Sequence, residues 1–577
     1  MTVKSKQRQA TRKWAAAALS ALLAGGIVTG CGSGKEAGEP EGEMGTAVEQ
    51  PAAEKAAPAE GGAGAGEGQE SGAAAAVDEQ PSEVYYEIFV RSFADSNGDG
   101  IGDLNGIISK LDYLNDGKPE TTDDLGVTGI WLMPVNPSPS YHGYDVTDYR
   151  DIHPEYGTLE DFRRLMDEAH KRGIKIIMDL VVNHSSVEHP WFLEASSDVS
   201  SDQRDWYVWA EDQGKEPTGV SAAGGGNPWH EKNGAHYLGI FWGGMPDLNL
   251  NNPDVQKEMK DIGQFWLKQG VDGFRLDAAK HIYEDLAADK SESTTAKNTA
   301  WWQDFRKSMD EVNPDAYIVG EVWENSAASI APYLDQAFDS GFNFGLAEKI
   351  LSAVQSGKDN NLAFTLERTY GLFSKVSGGQ FTDAVFLANH DQNRVMTQLR
   401  NQEKQAKMAA GILLTLPGNP FIYYGEEIGM QGAKPDERIR EPMVWSSGEK
   451  DAAQTNWEPM TFNGSGRTEG VSEQLQREDS LLVRYRNLIR WRNDLPALRD
   501  GNIGQYASGH GSVMAYTRST EKLQALVMHN LSGAEVRITL DEAAAGGFTT
   551  LSRSTSEQAV LQGRELTLPG YTTVVLE

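Results

Sequence analysis

From about residue 84 onward, short apolar runs alternate with amphipathic stretches that repeat at the period of a helix. Uninterrupted apolar runs are typical of strands in a parallel sheet that helices cover. The runs lie at residues 84–93, 129–135, 174–182, 271–276, 316–322, 384–388 and 420–424, with a weaker candidate near 337–344. Helices are predicted between them, for example over 159–171, 255–269, 301–312 and 404–416. About eight such units predict a (β/α)8 barrel with insertions, and an open doubly wound sheet is the alternative.

Two departures from this alternation predict further domains. Residues 185–248 are irregular and rich in aromatic side chains, and an excursion of that length is usually functional. After a predicted helix at 481–493, the pattern changes to short alternating strands such as 523–529 and 571–576. The predicted fold is therefore an α/β TIM barrel (83–184 and 249–495). It carries an inserted domain B after strand 3 (185–248) and a C-terminal antiparallel β-sandwich (496–577).

The first 82 residues predict export rather than a folded domain. A basic start precedes an apolar run over 14–28, and small residues lead to the single cysteine, Cys31. This is the layout of a secretory signal, and V-T-G-C resembles a bacterial lipobox in which Cys31 is lipidated. We predict a lipoprotein signal peptide (1–30) and a disordered Ala/Gly/Glu/Pro linker (31–82). The mature protein would be extracellular, anchored by lipid to the outer face of the bacterial cytoplasmic membrane; an ordinary cleaved signal is the alternative.

Charge narrows the range of partners. The net charge of −32 and the pI of about 4.8 argue against nucleic acid and against binding to anionic lipid. Membrane contact is expected only through the N-terminal anchor. With one cysteine, the chain forms no intrachain disulfide.

Polar side chains follow several of the predicted strands, where the active site of a TIM barrel lies. They are Asn183, His184, Arg275, Asp277, Glu321, His390 and Asp391. Arg275 and Asp277 stand two residues apart, so both point to the same side of a strand, and taken alone they could form a structural ion pair. Three carboxylates converging on one rim indicate glycoside hydrolysis, in which one carboxylate attacks the anomeric carbon and one acid protonates the leaving oxygen.

Four segments resemble the signature regions of the α-amylase family of glycoside hydrolases (family 13), in the same order. They are D-L-V-V-N-H (179–184), G-F-R-L-D-A-A-K-H (273–281), G-E-V-W (320–323) and F-L-A-N-H-D (386–391). G-I-W-L-M-P (129–134), M-P-D-L-N (245–249) and G-N-P-F-I-Y-Y-G-E-E (418–427) support the resemblance. It extends from about residue 84 to the end of the chain.

The resemblance implies roles for individual residues. Asp277 would be the nucleophile, Glu321 the general acid/base, and Asp391 the carboxylate that grips the sugar at subsite −1. The implied substrate-binding residues are Tyr144, His184, Arg275, Lys280, His281 and His390. A raised pKa is expected for Glu321 from its carboxylate neighbours, and a low pKa for Asp277 beside Arg275. The implied reaction retains configuration, with the two carboxyls about 5–5.5 Å apart.

Calcium is the implied cofactor. Asp95, Asn97, Asp99, Ile101 and Asp103 form a loop with oxygen ligands at alternate positions, which begins like an EF-hand but has Gly106 at its twelfth position. It resembles the calcium loop of oligo-1,6-glucosidases and neopullulanases, and a turn without metal is the alternative. A second, tentative site would use Asn183, Asp247 and the carbonyl of His281.

The features that bear on substrate specificity resemble different branches of the family. The calcium loop and M-P-D-L-N resemble the oligo-1,6-glucosidase and neopullulanase branches. Lys280 and His281 resemble true α-amylases, in which that pair binds glucose units on the leaving-group side. The combination resembles a bacterial α-amylase subfamily intermediate between these branches. We expect endo-hydrolysis of α-1,4 linkages in starch and maltodextrins by a monomer. The alternatives are oligo-1,6-glucosidase or neopullulanase activity, 4-α-glucanotransferase activity, and an inactive maltodextrin-binding protein.

Overall fold

The structure is a computed structural model, and it describes residues 82–223, 226–283, 292–448 and 451–577. The predicted signal peptide, the lipidation site at Cys31 and nearly all of the predicted linker lie outside these residues. Within the described residues, no helix is long and apolar enough to cross a membrane.

Eight parallel strands form the barrel. They are β1 (Tyr85–Ile88), β2 (Gly129–Leu132), β3 (Lys175–Leu180), β6 (Gly273–Leu276), β7 (Tyr317–Gly320), β8 (Ser340–Gly341), β9 (Ala384–Phe386) and β10 (Asn419–Tyr423), with β4 (Trp229–Lys232) and β5 (Ala235–Leu238) inserted after β3. The hydrogen-bonded order is β8-β7-β6-β3-β2-β1-β10-β9. A parallel bridge between Phe342, just past β8, and Ala384 of β9 brings the two ends together. The predicted barrel is confirmed, and the open doubly wound sheet is excluded.

Helices cover the outer face of the barrel. The longer ones are Leu104–Leu114, Leu159–His170, Pro253–Lys268, Glu292–Asp310, Phe344–Ser356, Leu362–Ser377, Glu403–Thr415 and Leu481–Asp494. Short helices lie at Val90–Phe93, Pro190–Ser197, Ala327–Ile330, Val395–Gln398, Asp436–Ile439, Val471–Gln474, Pro496–Arg499 and Glu542–Gly547, and 3₁₀ turns at Arg204–Trp206, Ala279–His281 and Ala331–Leu334. The apolar faces of the long helices pack on the strands, as the alternating pattern predicts.

The barrel interior is filled by side chains from alternating strand positions. One buried cluster includes Tyr85, Trp131, Ile177, Val319, Phe386 and Phe421, each from a different strand. Because side chains alternate across a strand, the residue two positions after each of these also faces inward. On β1 and β3 those residues are Glu87 and Asp179, so two buried carboxyl groups lie next to this apolar cluster, toward the carboxyl ends of the strands.

The predicted insertion and C-terminal domain are also present. The insertion after β3 carries the antiparallel hairpin β4–β5. The C-terminal strands are β11 (Asn502–Gln505), β12 (Val513–Ser519), β13 (Gln524–Asn530), β14 (Val536–Thr539), β15 (Leu551–Ser554), β16 (Val560–Gln562), β17 (Glu565–Leu568) and β18 (Thr573–Leu576). They form a five-stranded sheet, β11-β12-β13-β18-β15, and a three-stranded sheet, β14-β17-β16, which share one apolar core.

One element differs from the sequence prediction. The apolar run 84–93 reads as a single strand, but β1 ends at Ile88 and residues Val90–Phe93 form one helical turn. The turn is closed by a hydrogen bond from the Ser92 amide to the Phe89 carbonyl, at 3.0 Å. Both parts are buried, so an apolar pattern alone cannot separate them.

Candidate active site

The predicted site residues converge at the carboxyl ends of the barrel strands. Arg275 lies in β6 with Asp277 just beyond it, Glu321 directly follows β7, and His390 and Asp391 follow β9. All of the strands are parallel, so these side chains meet at one end of the barrel.

Arg275 is the centre of the cluster. Its side chain is fully buried, and Nη1 donates to Asp277 Oδ1 at 2.6 Å and to Asp179 Oδ1 at 2.8 Å. Its Nη2 lies 2.7 Å from Glu321 Oε1, while Glu321 Oε2 accepts the Ala278 backbone N–H at 3.0 Å. One guanidinium therefore holds carboxylates from three neighbouring strands, including the predicted nucleophile and the predicted acid/base.

His390 organises the opposite side of the site. Its Nδ1 lies 2.5 Å from Glu87 Oε1, and its Nε2 lies 3.2 Å from Asp391 Oδ2 and 2.7 Å from the Tyr144 hydroxyl. The Tyr144 ring stacks on the imidazole with centroids 5.7 Å apart, and its hydroxyl donates to Asp179 at 3.1 Å. Two contact chains, from Arg275 and from His390, thus meet at Asp179.

A second guanidinium approaches Asp391 from the loop after β10. Arg440 Nη2 lies 2.8 Å from Asp391 Oδ1, and Arg440 Nε donates to the His390 carbonyl at 3.1 Å. Burial alone would raise the pKa of Asp391, but His390 and Arg440 hold that pKa well below its usual range. Asp391 therefore favours its ionised form.

The pKa values of the central pair correct one expectation. Burial raises the pKa of Glu321, with smaller contributions from Asp277 and Asp391, so the predicted direction is confirmed although burial is the main cause. Burial also raises the pKa of Asp277, and Arg275 only partly opposes it. The prediction that Arg275 gives Asp277 a low pKa is wrong, because desolvation in the barrel mouth outweighs a cation shared among three carboxylates.

The pKa values of Asp179 and His390, two further buried groups of the site, have different main causes. Burial raises the pKa of Asp179 to about 7, with Arg275 opposing and Asp277 reinforcing the shift. Burial would lower the pKa of His390, but the carboxylates of Asp391 and Glu87 raise it to about 9.

The remaining predicted sugar contacts also lie near this rim. His184 is buried, burial lowers its pKa to about 3, and its Nε2 has no hydrogen-bond partner among the described residues. The low pKa indicates a neutral ring, and its Nε2 is a buried polar atom without a hydrogen-bond partner among these residues. Lys280 Nζ lies 2.9 Å from Glu324 Oε1, and the His281 ring lies against Phe241 with centroids 5.6 Å apart.

The predicted calcium loop is tightly wound. Asp95 accepts hydrogen bonds from the backbone N–H groups of Asn97 and of two glycines in the loop, at 2.7–2.9 Å. Asn97 and Asp99 accept backbone N–H groups two residues ahead, the second from Ile101, and Asp103 caps the next helix. The atoms of this loop that could bind a metal are all oxygen atoms, which suits a hard cation. Among the described residues, however, no group of three acidic, His or Cys side chains forms a ready-made metal cluster.

The tentative second site shows a direct contact instead. Asn183 Nδ2 lies 3.3 Å from Asp247 Oδ1, and the Ile240 amide lies 3.4 Å from the same oxygen. The His281 backbone amide donates to the Ala278 carbonyl at 2.9 Å. Asn183 and Asp247 thus contact each other and join the inserted segment to the barrel, and calcium at this position stays a prediction.

Sequence reasoning missed three members of the site. Asp179 is an acid inside the apolar run 174–182, which is a signal that the sequence contains. Glu87 is an acid inside an apolar strand, which is a signal that the sequence does contain. Arg440 lies in an irregular loop 49 positions from Asp391, and nothing local in the sequence marks that contact.

Comparison with known proteins decides the family. The profile of the α-amylase catalytic domain matches residues 87–501, and that of the α-amylase SusG C-terminal domain matches residues 513–575. The chain belongs to the α-amylase family of glycoside hydrolases. The resemblance inferred from the sequence is confirmed, and the protein is an α-amylase-type glycoside hydrolase.

Individual relatives agree with this family membership. Alpha-amylase 3 of Dictyoglomus thermophilum is 45% identical over 433 residues, which cover 75% of this chain and 81% of that protein. The crystal structure of an α-amylase from H. orenii is 48% identical, has a TM-score of 0.79, and covers 86% of this chain and 99% of that chain. An oligo-1,6-glucosidase of Parageobacillus thermoglucosidasius is 33% identical over 494 residues, covering 74% of this chain and 86% of that protein.

Proposed function

We propose that this enzyme cleaves internal α-1,4 linkages of starch and maltodextrins with retention of configuration. The observation that carries the proposal is the pairing of Asp277 and Glu321, from neighbouring strands, on the single guanidinium of Arg275. Retaining glycosidases need two carboxyl groups about 5–5.5 Å apart, and a shared guanidinium favours such a short separation.

In the proposed reaction, Asp277 attacks the anomeric carbon while Glu321 donates its proton to the departing glycosidic oxygen. A covalent glycosyl-enzyme forms and the α-1,4 bond breaks. Glu321, now ionised, then takes a proton from water, whose oxygen attacks the same carbon and releases Asp277. The raised pKa of Glu321 suits the acid of the first step. Asp277 must ionise despite its own raised pKa, and Arg275 at 2.6 Å favours that form.

Three further groups are proposed to hold the sugar ring at the cleavage point. Tyr144 would stack beneath it, since its ring is already fixed against His390. His184 would use its unpartnered Nε2 to bind a hydroxyl, and Asp391 would accept hydroxyl hydrogen bonds as a permanent anion. A fixed anion beside the ring also favours the positive charge that develops in the transition state.

Exposed aromatic side chains near the predicted subsites support a polymeric substrate. Phe241, from the inserted segment, is 40% exposed and lies between His184 and His281 at centroid distances of 5.3 and 5.6 Å. Trp323, two residues beyond Glu321, is 42% exposed and stacks on Phe344. We propose that such rings are platforms for further glucose units. Lys280, whose Nζ lies 3.4 Å from the Trp323 carbonyl, would donate to sugar hydroxyls.

The test is the product profile from starch, pullulan and maltotriose. An endo-acting α-amylase should cut starch rapidly into mixed maltooligosaccharides. An oligo-1,6-glucosidase would instead release glucose from isomaltose and leave long amylose largely intact, and a 4-α-glucanotransferase would disproportionate maltotriose with little new reducing sugar.

The acid/base role is tested by Glu321→Gln, which keeps the shape of the side chain. Hydrolysis of starch should fall by at least about 10²-fold, the usual contribution of a positioned acid/base, while oligosaccharide binding persists. A variant that still cleaves starch at the wild-type rate would refute the assignment. A wild-type protein that binds maltodextrin without cleaving it would favour the inactive binding protein.

We further propose calcium in the loop of Asp95, Asn97, Asp99, Ile101 and Asp103. The oxygen donors and the winding of the loop support this, and the ion would replace backbone N–H groups as the partner of some of those oxygens. Isothermal titration of the metal-stripped enzyme with calcium tests it, with Asp99→Ala expected to lose the binding. No heat of binding in the wild-type enzyme would exclude the site.

The cell-surface location also remains a proposal, supported by the residues around Cys31. Labelling cells with a radioactive fatty acid should mark the wild-type protein and leave a Cys31→Ala variant unmarked. An unlabelled wild-type protein in the medium would indicate an ordinary cleaved signal.

A further inference from the structure

We propose that Glu87 is a positioning residue that keeps His390 in its doubly protonated form, so that Asp391 and Tyr144 are correctly arranged for the sugar ring. Glu87 is the third of the four residues of β1, is buried, and contacts His390 directly. The inference rests on the proposed function, because it concerns how the side chains of that same site are positioned.

The hydrogen bonds around His390 require two ring protons. Nδ1 faces a carboxylate oxygen of Glu87 at 2.5 Å, and Nε2 faces a carboxylate oxygen of Asp391 at 3.2 Å. A neutral imidazole has one N–H and one lone pair. Either neutral tautomer would therefore point a nitrogen lone pair at a carboxylate, and only the imidazolium donates to both.

The charge on His390 also fixes the direction of the next hydrogen bond. Tyr144 donates its hydroxyl proton to Asp179 Oδ2 at 3.1 Å. The Tyr144 oxygen lies 2.7 Å from His390 Nε2 and accepts from it, so the single Nε2–H is shared between this oxygen and Asp391 Oδ2. If Nε2 lost its proton, the hydroxyl would turn to donate to it and would leave Asp179. Loss of one proton at His390 would thus disturb Tyr144, Asp179 and Asp391 together.

The electrostatic surroundings agree with this geometry. The charged and titratable groups that face His390 are Glu87 on β1, Tyr144 after β2, Asp179 on β3, Asp277 after β6, the adjacent Asp391, and Arg440 after β10. Four of these groups are carboxyls: burial raises the pKa of Glu87, Asp179 and Asp277, whereas the pKa of Asp391 is held low by His390 and Arg440. Trp131 packs edge-on against the His390 ring. Although burial opposes the charged form, Asp391 and Glu87 raise the pKa of His390 to about 9.

The decisive variant is Glu87→Gln. The amide oxygen can still accept the Nδ1–H, so the ring keeps its orientation, but the buried negative charge is gone. An opposite charge at this distance typically shifts a pKa by about one to three units, so the titration midpoint of His390 should fall by that amount. Asp383→Asn is the matched control, because Asp383 is a buried carboxylate bonded to Asn343 and Tyr370, away from His390.

The direct measurement is a pH titration followed by NMR of the enzyme labelled with ¹³C in its histidines, with His390→Gln assigning the signal. In the wild-type enzyme His390 should stay protonated until about pH 9. The Glu87→Gln variant should lose the proton one to three pH units earlier, as above, and Asp383→Asn should match the wild type. A wild-type His390 that titrates at or below pH 6.5, its unperturbed value, would overturn the inference even if the variant failed to fold.

A functional readout separates this inference from the proposed function. Binding of maltotetraose would be measured across pH in the Glu321→Gln background, where titration of the acid/base cannot contribute. Adding Glu87→Gln should move the alkaline loss of affinity to lower pH by the shift seen in the NMR titration. Identical binding profiles would overturn the positioning role of Glu87, whereas a Glu321→Gln enzyme that still hydrolyses starch would overturn the proposed function instead.

Discussion

Replacing Arg275 with methionine removes the one cation that three buried carboxylates share. The side chain is fully buried, and its nitrogens lie 2.6–2.8 Å from Asp277, Asp179 and Glu321. Removing one partner of a buried ion pair costs about 3–5 kcal/mol, because the remaining charge has no compensation. We therefore expect Arg275→Met to lower the free energy of unfolding by about 3–5 kcal/mol near neutral pH.

The loss should depend on pH with a definite sign. Without Arg275, the folded-state pKa values of the three carboxyls rise further above their unfolded values of about 4. A group with a raised folded pKa contributes stability below its unfolded pKa and loses that contribution as the pH rises through the folded value. The deficit of the variant relative to the wild type should thus be small at pH 5 and larger at pH 8.

Urea unfolding of both proteins at pH 5, 6, 7 and 8 measures this deficit. Arg172→Met is a suitable control, since Arg172 pairs with Asp112 and Glu168 at the surface and should cost at most about 1 kcal/mol. If Arg275→Met were as stable as the wild type at pH 8, or if its deficit did not change with pH, then Arg275 would not be the main compensation for these carboxylates.

Three other outcomes are expected. Lys280→Ala should raise KM for maltoheptaose about ten-fold, the value of a charged hydrogen bond, and leave hydrolysis of an aryl maltotrioside unchanged, because no sugar then occupies the leaving-group side; equal effects on both substrates would place Lys280 elsewhere. His390 has a folded pKa of about 9. Its contribution to stability should therefore be full below its unfolded pKa of about 6.5 and disappear by pH 9–10, a loss absent in His390→Gln. Chelation of calcium should lower the melting temperature of the wild type and leave Asp99→Ala unaffected, and a wild type insensitive to chelation would argue against a structural ion.

The barrel could be predicted from the sequence because its strands are buried on both faces, and such strands appear in the sequence as continuous apolar runs. Even β8, which has only two residues, lies inside the predicted range 337–344. Arg275 and Asp277 could be recognised because two positions along a strand place side chains on one face. The segment 84–93 could not be divided, since a buried strand and a buried helical turn are equally apolar.

Contacts across the barrel cannot be predicted from local sequence patterns. Glu87 meets His390 across 303 positions, and only strand register brings them together. The direction of the Asp277 pKa shift cannot be read from the sequence for a related reason, because the degree of burial and the sharing of Arg275 with Asp179 depend on the closed barrel. The residue types indicate which side chains can be charged. The balance between burial and neighbouring charges, which sets the pKa of each carboxyl, depends on the three-dimensional packing.

The central claim is that Asp277 forms a covalent bond to the sugar. The most direct measurement is mass spectrometry of peptides from the enzyme treated with a 5-fluoro-α-glycosyl fluoride of the maltooligosaccharide series, which forms the glycosyl-enzyme but slows its hydrolysis. The account predicts one added glycosyl group on Asp277. A label on another residue would contradict it, as would an enzyme that hydrolyses the reagent with inversion and is never labelled.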